Sequence, residues 1–305
     1  MDLDFKDLKV LLIGDFMIDQ YVLCSSTRMS PEAPVPVLNP NEIYSTPGGA
    51  GNVALNLSSL GANVTCVGCI GSDAEGIELT KNLKEKGINT DLLYITQIPT
   101  TVKRRYYLNG NQVLRVDIEK ELKNWSPSIV NLEYDKYDLI LFSDYNKGVL
   151  NNRWFSKIKG KNIFVDPKKD DFLFYSNATI ITPNLKELQR ASNSKITDNK
   201  SIVKACKLII EKHANLEYII VKKGGKGITI VGKNEYEKHI DPHKVSKPDV
   251  TGAGDTVIAT FSLAYTKTNN IEDSARIANA AAAIVVGKIG TAVVTIEEIN
   301  NYFKL

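Results

Sequence analysis

Histidine and cysteine are scarce in this 305-residue sequence, at three and four copies. His213, His239 and His243 are scattered among polar neighbours, form no ligating cluster, and are assigned no role. Cys66-Val-Gly-Cys69 has the spacing of a metal or redox pair, but no second pair or histidine cluster accompanies it. It lies in the apolar run 64–70, so both thiols read as small core residues, as do Cys24 and Cys206. No apolar run approaches the ~20 residues of a bilayer span. The acidic start, Met-Asp-Leu-Asp-Phe-Lys-Asp, runs straight into Val10-Leu-Leu-Ile13 and is not built like a signal peptide, so a cytoplasmic protein is expected. A net charge of +3, with no block of five like charges, argues against nucleic acid or a membrane surface as partner. Also missing are a Gly-x4-Gly-Lys-[Ser/Thr] loop and a Gly-x-Gly-x-x-Gly after a strand, which argues against P-loop and dinucleotide-binding folds. With no repeat or low-complexity linker, residues 1–305 read as one domain.

What is present is an alternation of short apolar runs with segments of helical period. Strands are expected at 10–14, 64–70, 139–142, 163–165, 179–181, 218–221 and 227–231, with helices at 52–60, 77–86, 202–212 and 273–287 among them. Near-continuous apolar strands alternating with helices predict an α/β fold, its mostly parallel central sheet flanked by helices. Ligands of such sheets sit beyond the carboxyl ends of the strands. That draws attention to Gly14-Asp15, Ser143-Asp144, Asp166-Pro167 and Pro183-Asn184. Two segments break the rhythm. Ala33-Pro-Val-Pro-Val37 is expected to be extended. Thr101–Leu108 and Gln112–Ile118 flank Asn109-Gly110, a strong hairpin signal. Segments at about 33–46 and 99–120 are therefore expected to form a small antiparallel β lid.

Asp249-Val-Thr-Gly-Ala-Gly-Asp255 runs into a helix beginning at about Gly254. Small residues at a helix start leave backbone N–H groups free at the positive end of the dipole, which suits an anion. Asp255 in the first turn places a carboxylate beside that anion. This pairing is what phosphoryl transfer to a hydroxyl requires. Gly48-Gly49-Ala50-Gly51-Asn52 opens another helix, where Asn52 offers a donor and an acceptor to a polyol hydroxyl. Asp15 and Asp19 end the first strand as possible acceptors for vicinal hydroxyls. Asn184 and Glu187, spaced i,i+3, share one face of a starting helix, and a capping box is the alternative.

The 249–255 segment resembles the C-terminal signature of the ribokinase-like (PfkB) carbohydrate kinases, and the 48–54 segment their N-terminal one. The resemblance covers nearly the whole chain. It implies that Asp255 is the base, that the N–H groups of Gly252, Ala253 and Gly254 form an anion hole, and that Asp19, Gly48, Gly49 and Asn52 hold the sugar. It further implies that Asn184 and Glu187 organise the water shell of Mg²⁺ and that Lys222, Gly224, Gly227 and Asn279 serve ATP. Segments 14–21, 28–37, 143–148, 166–168 and 249–259 are similar to those of the family's heptose-phosphate kinases. These phosphorylate the anomeric hydroxyl of D-glycero-β-D-manno-heptose 7-phosphate for ADP-heptose and lipopolysaccharide precursors. Asn146 and Lys169-Asp170 depart from that pattern. No His-x-Gly-His nucleotidyltransferase motif is present, so the kinase step alone is implied.

A phosphorylated acceptor needs cations, and Arg28, Lys103, Arg105, Lys147 and Lys168 fall on lid or strand-end loops. Lys103 and Arg105, two apart on a strand, are expected to converge on the phosphate; Asp144 is placed on the same acceptor side. A monovalent cation near Asp249 is a further expectation. The lid face bearing Val35, Val37, Val102, Tyr106, Val113 and Val116 is expected to close against a second copy as a homodimer. The alternatives are another sugar or sugar-phosphate kinase of the same fold, or a non-catalytic sugar-phosphate-binding regulator.

Overall fold

The computed structural model describes residues 3–304 other than 124, 126–131, 152–154, 156, 244, 246–248 and 289. Strand β1 (Lys9–Gly14) shows why the main sheet must be covered twice. Its side chains alternate, so Val10 and Leu12 enter one core while Leu11 and Ile13 enter the other. A strand buried on both faces belongs mid-sheet, and β1 pairs in parallel with β4 (Asn63–Gly71) and β8 (Leu139–Ser143). Beyond β4 lies β5 (Asn89–Thr96). Beyond β8 follow β9 (Ile163–Asp166), β10 (Ile180–Ile181), β11 (Tyr218–Lys222), β12 (Ile228–Gly232) and β13 (Glu237–Ile240). The nine-stranded order is β13-β12-β11-β10-β9-β8-β1-β4-β5, antiparallel only where β12 meets β11 and β13.

One face carries α1 (Ala50–Ser59) and α2 (Ala74–Glu85), whose Val53, Leu57, Leu79 and Leu83 are fully buried. The other carries α3 (Leu185–Ser192) and α4 (Asn199–Ile210), with Ile202, Cys206, Ile209 and Ile210 on the expected stripe. Helices α5 (Ala253–Thr268), α6 (Ile271–Val286) and α7 (Ile296–Lys304) pack with α1 through Ile258, Phe261, Ala278 and Ile299. All four cysteines are free; Cys24, Cys66 and Cys206 are buried and Cys69 partly so. No helix among the described residues is long and apolar enough to cross a membrane.

The lid is a separate four-stranded sheet of order β3-β2-β6-β7. Asn109 and Gly110, both at positive φ, turn β6 (Thr101–Leu108) back into β7 (Asn111–Ile118), as the Asn-Gly pair predicts. Two expectations are corrected. First, Ala33–Val37 is not extended lid backbone: Val35 N–H donates to Ala33 O at 2.8 Å, and β3 begins only at Asn39 and ends at Gly49. Pro31, Pro34 and Pro36 have no N–H to give a ladder, so the chain turns here instead. Second, the lid is mixed. β2 (Phe16–Ser25), unforeseen as a strand, lies parallel to β6 and antiparallel to β3.

Register then sorts the lid's two faces. Asp19, Lys103 and Asp117 sit side by side, as do Tyr21, Arg105 and Arg115. The opposite face carries Ile43, Leu114, Val116 and Ile118, all exposed. Val102, expected on that exposed face, is buried at the lid's root.

Candidate active site

The site is built where α5 begins. Gly252 takes φ +75, a left-handed turn, and a Cβ there would come within 2.6 Å of Asn52 Nδ2. Only glycine lets the loop approach α1 so closely. No side chain caps α5. A helix cannot pair its own first-turn amides, and those of Gly254 and Asp255 have no partner among the described residues. Ala253, expected in the anion hole, instead donates its N–H to Val250 O at 3.3 Å. The Lys222 ammonium completes this corner, 3.5 Å from where a Gly254 Cβ would be.

Asp255 is 6% exposed. Its Oδ2 accepts from Asn52 Nδ2 and its Oδ1 from the Tyr145 hydroxyl, each at 2.7 Å. Burial pushes its carboxyl up to about 6 against the pull of those two hydrogen bonds. Asn52 is placed by α1, which Gly49 opens at φ +57. Gly48 leaves room for Asp19, whose carboxylate a Cβ there would strike. Asp19 in turn accepts from Arg105 Nη1 at 2.6 Å.

The loop after β8 forms the next wall. Asp144 Oδ1 accepts from Asn146 N at 2.6 Å, and its Oδ2 from the Tyr175 hydroxyl at 2.6 Å. Asp15 departs from the expected sugar contact. Its Oδ2 accepts from the amides of Tyr145 and Lys147, at 2.8 and 3.1 Å, and its Oδ1 from Val149 N at 3.2 Å. Both oxygens therefore take part in holding this loop.

Across the cleft, half-buried Lys222 pairs with Asp166. Burial raises the Asp166 carboxyl while Lys222 pulls it back down. Asn184 and Glu187 do form the capping box of α3. Glu187 Oε2 accepts from Asn184 N at 2.8 Å and Oε1 from Lys168 Nζ at 3.2 Å. Glycines shape the neighbouring loop. Gly224 and Gly227 have positive φ, and a Cβ on Gly227 would lie 2.9 Å from Pro242 N. Asn279, on α6, donates from Nδ2 to Asp241 O at 2.8 Å.

The structure thus brings Asp144, Lys168, Asn184, Glu187, Lys222, Gly224, Gly227, Gly252, Ala253, Gly254, Asp255 and Asn279 around one cleft of ≈ 900 Å³. Lys147 does not line it. Its ammonium meets Glu119 at 2.6 Å, and the residue borders a separate cavity of ≈ 30 Å³ beside Asp15. Lys103 and Arg105 share a face, as the strand period predicts, but in different states. Arg105 is bound to Asp19, whereas Lys103 makes no ion pair among the described residues and lies 5.0 Å from the Tyr145 ring centroid. Burial lowers the Lys103 ammonium's affinity for its proton. Sequence reasoning missed Tyr145 and Asp166 as site residues, although both stand in strand-end motifs it had picked out.

No group of three or more metal-ligating side chains occurs among the described residues. With both Glu187 oxygens engaged, the donor set fits a Mg²⁺ that keeps its own waters better than one held directly by protein. Asp249 accepts from Thr251 N at 3.0 Å and Gly290 N at 2.9 Å. Burial opposes ionisation there, but these amides hold its carboxyl below the usual range.

The pattern of the pfkB family of carbohydrate kinases matches residues 7–298. The bifunctional protein HldE of Helicobacter hepaticus is 39% identical over 314 residues, covering 98% of this chain and 64% of that protein. HldE of Coxiella burnetii strain RSA 331 is 37% identical over 304 residues, covering 97% and 64%. The chain therefore spans somewhat under two thirds of the length of these relatives. Among solved structures, Arabidopsis thaliana ribokinase complexed with ribose and ATP superposes with TM-score 0.80 at 19% identity, covering 98% of this chain and 99% of that one. Escherichia coli phosphofructokinase-2 in complex with potassium gives 0.78 at 18% identity, covering 97% and 98%. These two share a ribokinase-like fold with the protein. On the family match and the relatives alike, this chain belongs to the pfkB family of carbohydrate kinases.

Proposed function

We propose that the protein transfers the γ-phosphoryl group of ATP to the anomeric hydroxyl of D-glycero-β-D-manno-heptose 7-phosphate, giving the 1,7-bisphosphate for ADP-heptose synthesis. The observation that carries this reading is Asp255, buried against the uncapped start of α5 with Lys222 beside it, in a cleft large enough for a nucleotide. The heptose assignment draws on the relatives named HldE and on the Lys103 and Arg105 pair at the lid.

In this mechanism Asn52 and the α1 start orient Asp255, and Asp19 holds sugar hydroxyls opposite it. Asp255 takes the hydroxyl proton as the oxygen attacks the γ-phosphorus. The amides of Gly254 and Asp255, with Lys222, stabilise the charge that develops on the transferring group. Asn184, Gly224, Gly227 and Asn279 form the nucleotide wall. Mg²⁺ bound with ATP would supply charge neutralisation at the phosphates, and Glu187 would hold it through water. A monovalent cation would bind beside the Asp249 carboxylate. The lid excludes water, and its apolar outer face joins a second copy. In sedimentation, Val116→Glu converts the expected dimer to monomer; a wild-type monomer at micromolar concentration discards the pairing.

The deciding experiment is ATP consumption across heptose, hexose and pentose phosphates, with the product identified by ³¹P NMR. Turnover confined to a heptose 7-phosphate with a new anomeric phosphate is expected. Preference for a hexose or pentose phosphate would replace the acceptor assignment.

A further inference from the structure

Each oxygen of Asp255 accepts from a side chain, and the two donors differ. Asn52 is 1% exposed, anchored on α1, and does not line the cleft. Tyr145 lines the cleft and stands on a loop only partly buried. Its phenol O–H presents Oδ1 with a donor at 2.7 Å, which is what a sugar hydroxyl about to lose its proton must do. A hydroxyl acceptor must compete with Tyr145 for that oxygen or displace it. The loop backbone is pinned to Asp15 through three amides, so the ring can swing without the loop unfolding. The face of the ring carries the Lys103 ammonium, 5.0 Å from its centroid. An acceptor phosphate drawing Lys103 away would loosen the same side chain.

The geometry points to Tyr145 as a placeholder for the acceptor hydroxyl: it closes the base until a sugar displaces it, and so keeps water from being activated against bound ATP. The inference rests on the proposed base role of Asp255, but not on the identity of the sugar. Without the phenol, water can occupy the vacated position beside Oδ1. Its oxygen then attacks the γ-phosphorus, the bond from phosphorus to the ADP oxygen breaks, and the water proton passes to Asp255. The products are ADP and inorganic phosphate.

Tyr145→Phe tests this, because it keeps the ring beneath Lys103 and removes only the hydroxyl. With Mg·ATP and no sugar, ADP release is expected to rise several-fold over wild type, and to vanish again in Tyr145→Phe/Asp255→Asn. The KM for the acceptor is expected to fall by up to about tenfold, since one hydrogen bond to a carboxylate no longer has to be broken. The pH profiles supply a signature that a merely structural tyrosine would not give. The acid limb of kcat/KM, which reports free enzyme, moves up in the variant because a hydrogen bond favouring the ionised base is gone. The acid limb of kcat, which reports the sugar complex, stays in place because Tyr145 has already left. Unchanged acceptor-free hydrolysis, or movement of both limbs together, overturns the inference. Raised hydrolysis in the variant, while wild type accepts none of the sugar phosphates, upholds the placeholder and rejects the heptose assignment instead.

Discussion

Asp15, at the end of β1, and Asp255, at the start of α5, are the same residue in similar straits. Each is nearly inaccessible, and burial pushes each carboxyl up to about 6, aided at Asp15 by the charge of Asp144. Their partners separate them. Asp15 is saturated by three backbone amides of the 145–149 loop and does not line the cleft, whereas Asp255 is held by two side chains and does. A raised pKa therefore marks a buried carboxylate; the nature of the donors is what separates these two. Backbone amides cannot leave, but a tyrosine can.

The largest test of that distinction is kinetic. Asp255→Asn keeps shape and removes the proposed base, so kcat is expected to fall roughly 10²–10⁴-fold. Asp15→Asn is expected to stay within about tenfold of wild type, as it acts only through the loop. Comparable losses in steady-state assays would erase the distinction. Next is the acid limb of kcat/KM for the acceptor. Below about pH 6 the rate should drop roughly tenfold per pH unit as Asp255 takes up a proton. Asp15→Asn should leave that limb alone; if the limb follows Asp15, the assignments are exchanged.

Lys103 and Arg105 repeat the contrast between a free and a committed group. Lys103→Ala is expected to raise the acceptor KM about tenfold with ATP binding intact, through loss of a charge-assisted hydrogen bond to the phosphate. Arg105→Ala is expected to act mainly by releasing Asp19. Isothermal titration with the sugar phosphate reads both, and normal binding in both variants moves the phosphate pocket elsewhere, with Lys168 next to be tried.

The smallest effect is on melting temperature, and its sign matters more than its size. Both carboxyls have folded values above 3.8, so each binds its proton more tightly folded than unfolded. The stability this confers is fully present below 3.8 and lost as pH rises through about 6, at a cost of up to about 3 kcal/mol each. Asp255→Asn relieves that cost and should raise the melting temperature at pH 7.5 by a few degrees, on the order of 2–4 °C per kcal/mol. Asp15→Asn should lower it, because an amide NH₂ cannot accept from the amides it would face. Differential scanning calorimetry decides, and shifts of the same sign would refute the contrast.

Much of this was readable beforehand, for identifiable reasons. The main-sheet strands announce themselves because two-sided burial demands unbroken apolar runs, as at Val10–Ile13. The Asn109-Gly110 turn is legible because its backbone angles suit few other pairs. Asn52 and Asp255, 203 positions apart yet hydrogen-bonded, were each recognised from local glycine patterns. β2 escaped because its first residues double as the Asp15–Asp19 strand-end motif. The loop role of Asp15 escaped because its partners are backbone amides 130–134 positions away, which no side-chain pattern records. Tyr145 likewise owes its meaning to a carboxylate 110 residues distant.

The cleft also nearly balances its own charge. Its lining includes four carboxylates, Asp144, Asp166, Glu187 and Asp255, against three ammonium groups, Lys168, Lys222 and Lys223. Lys222 is bound to Asp166 and Lys168 to Glu187. An incoming polyanion meets no attractive funnel at long range; attraction appears only at contact, as the lysines change partners. Nucleotide capture should then depend little on ionic strength, unlike sites that gather their ligands by field. Bare nucleotide should enter more slowly than its cation complex, which arrives with part of its charge already cancelled.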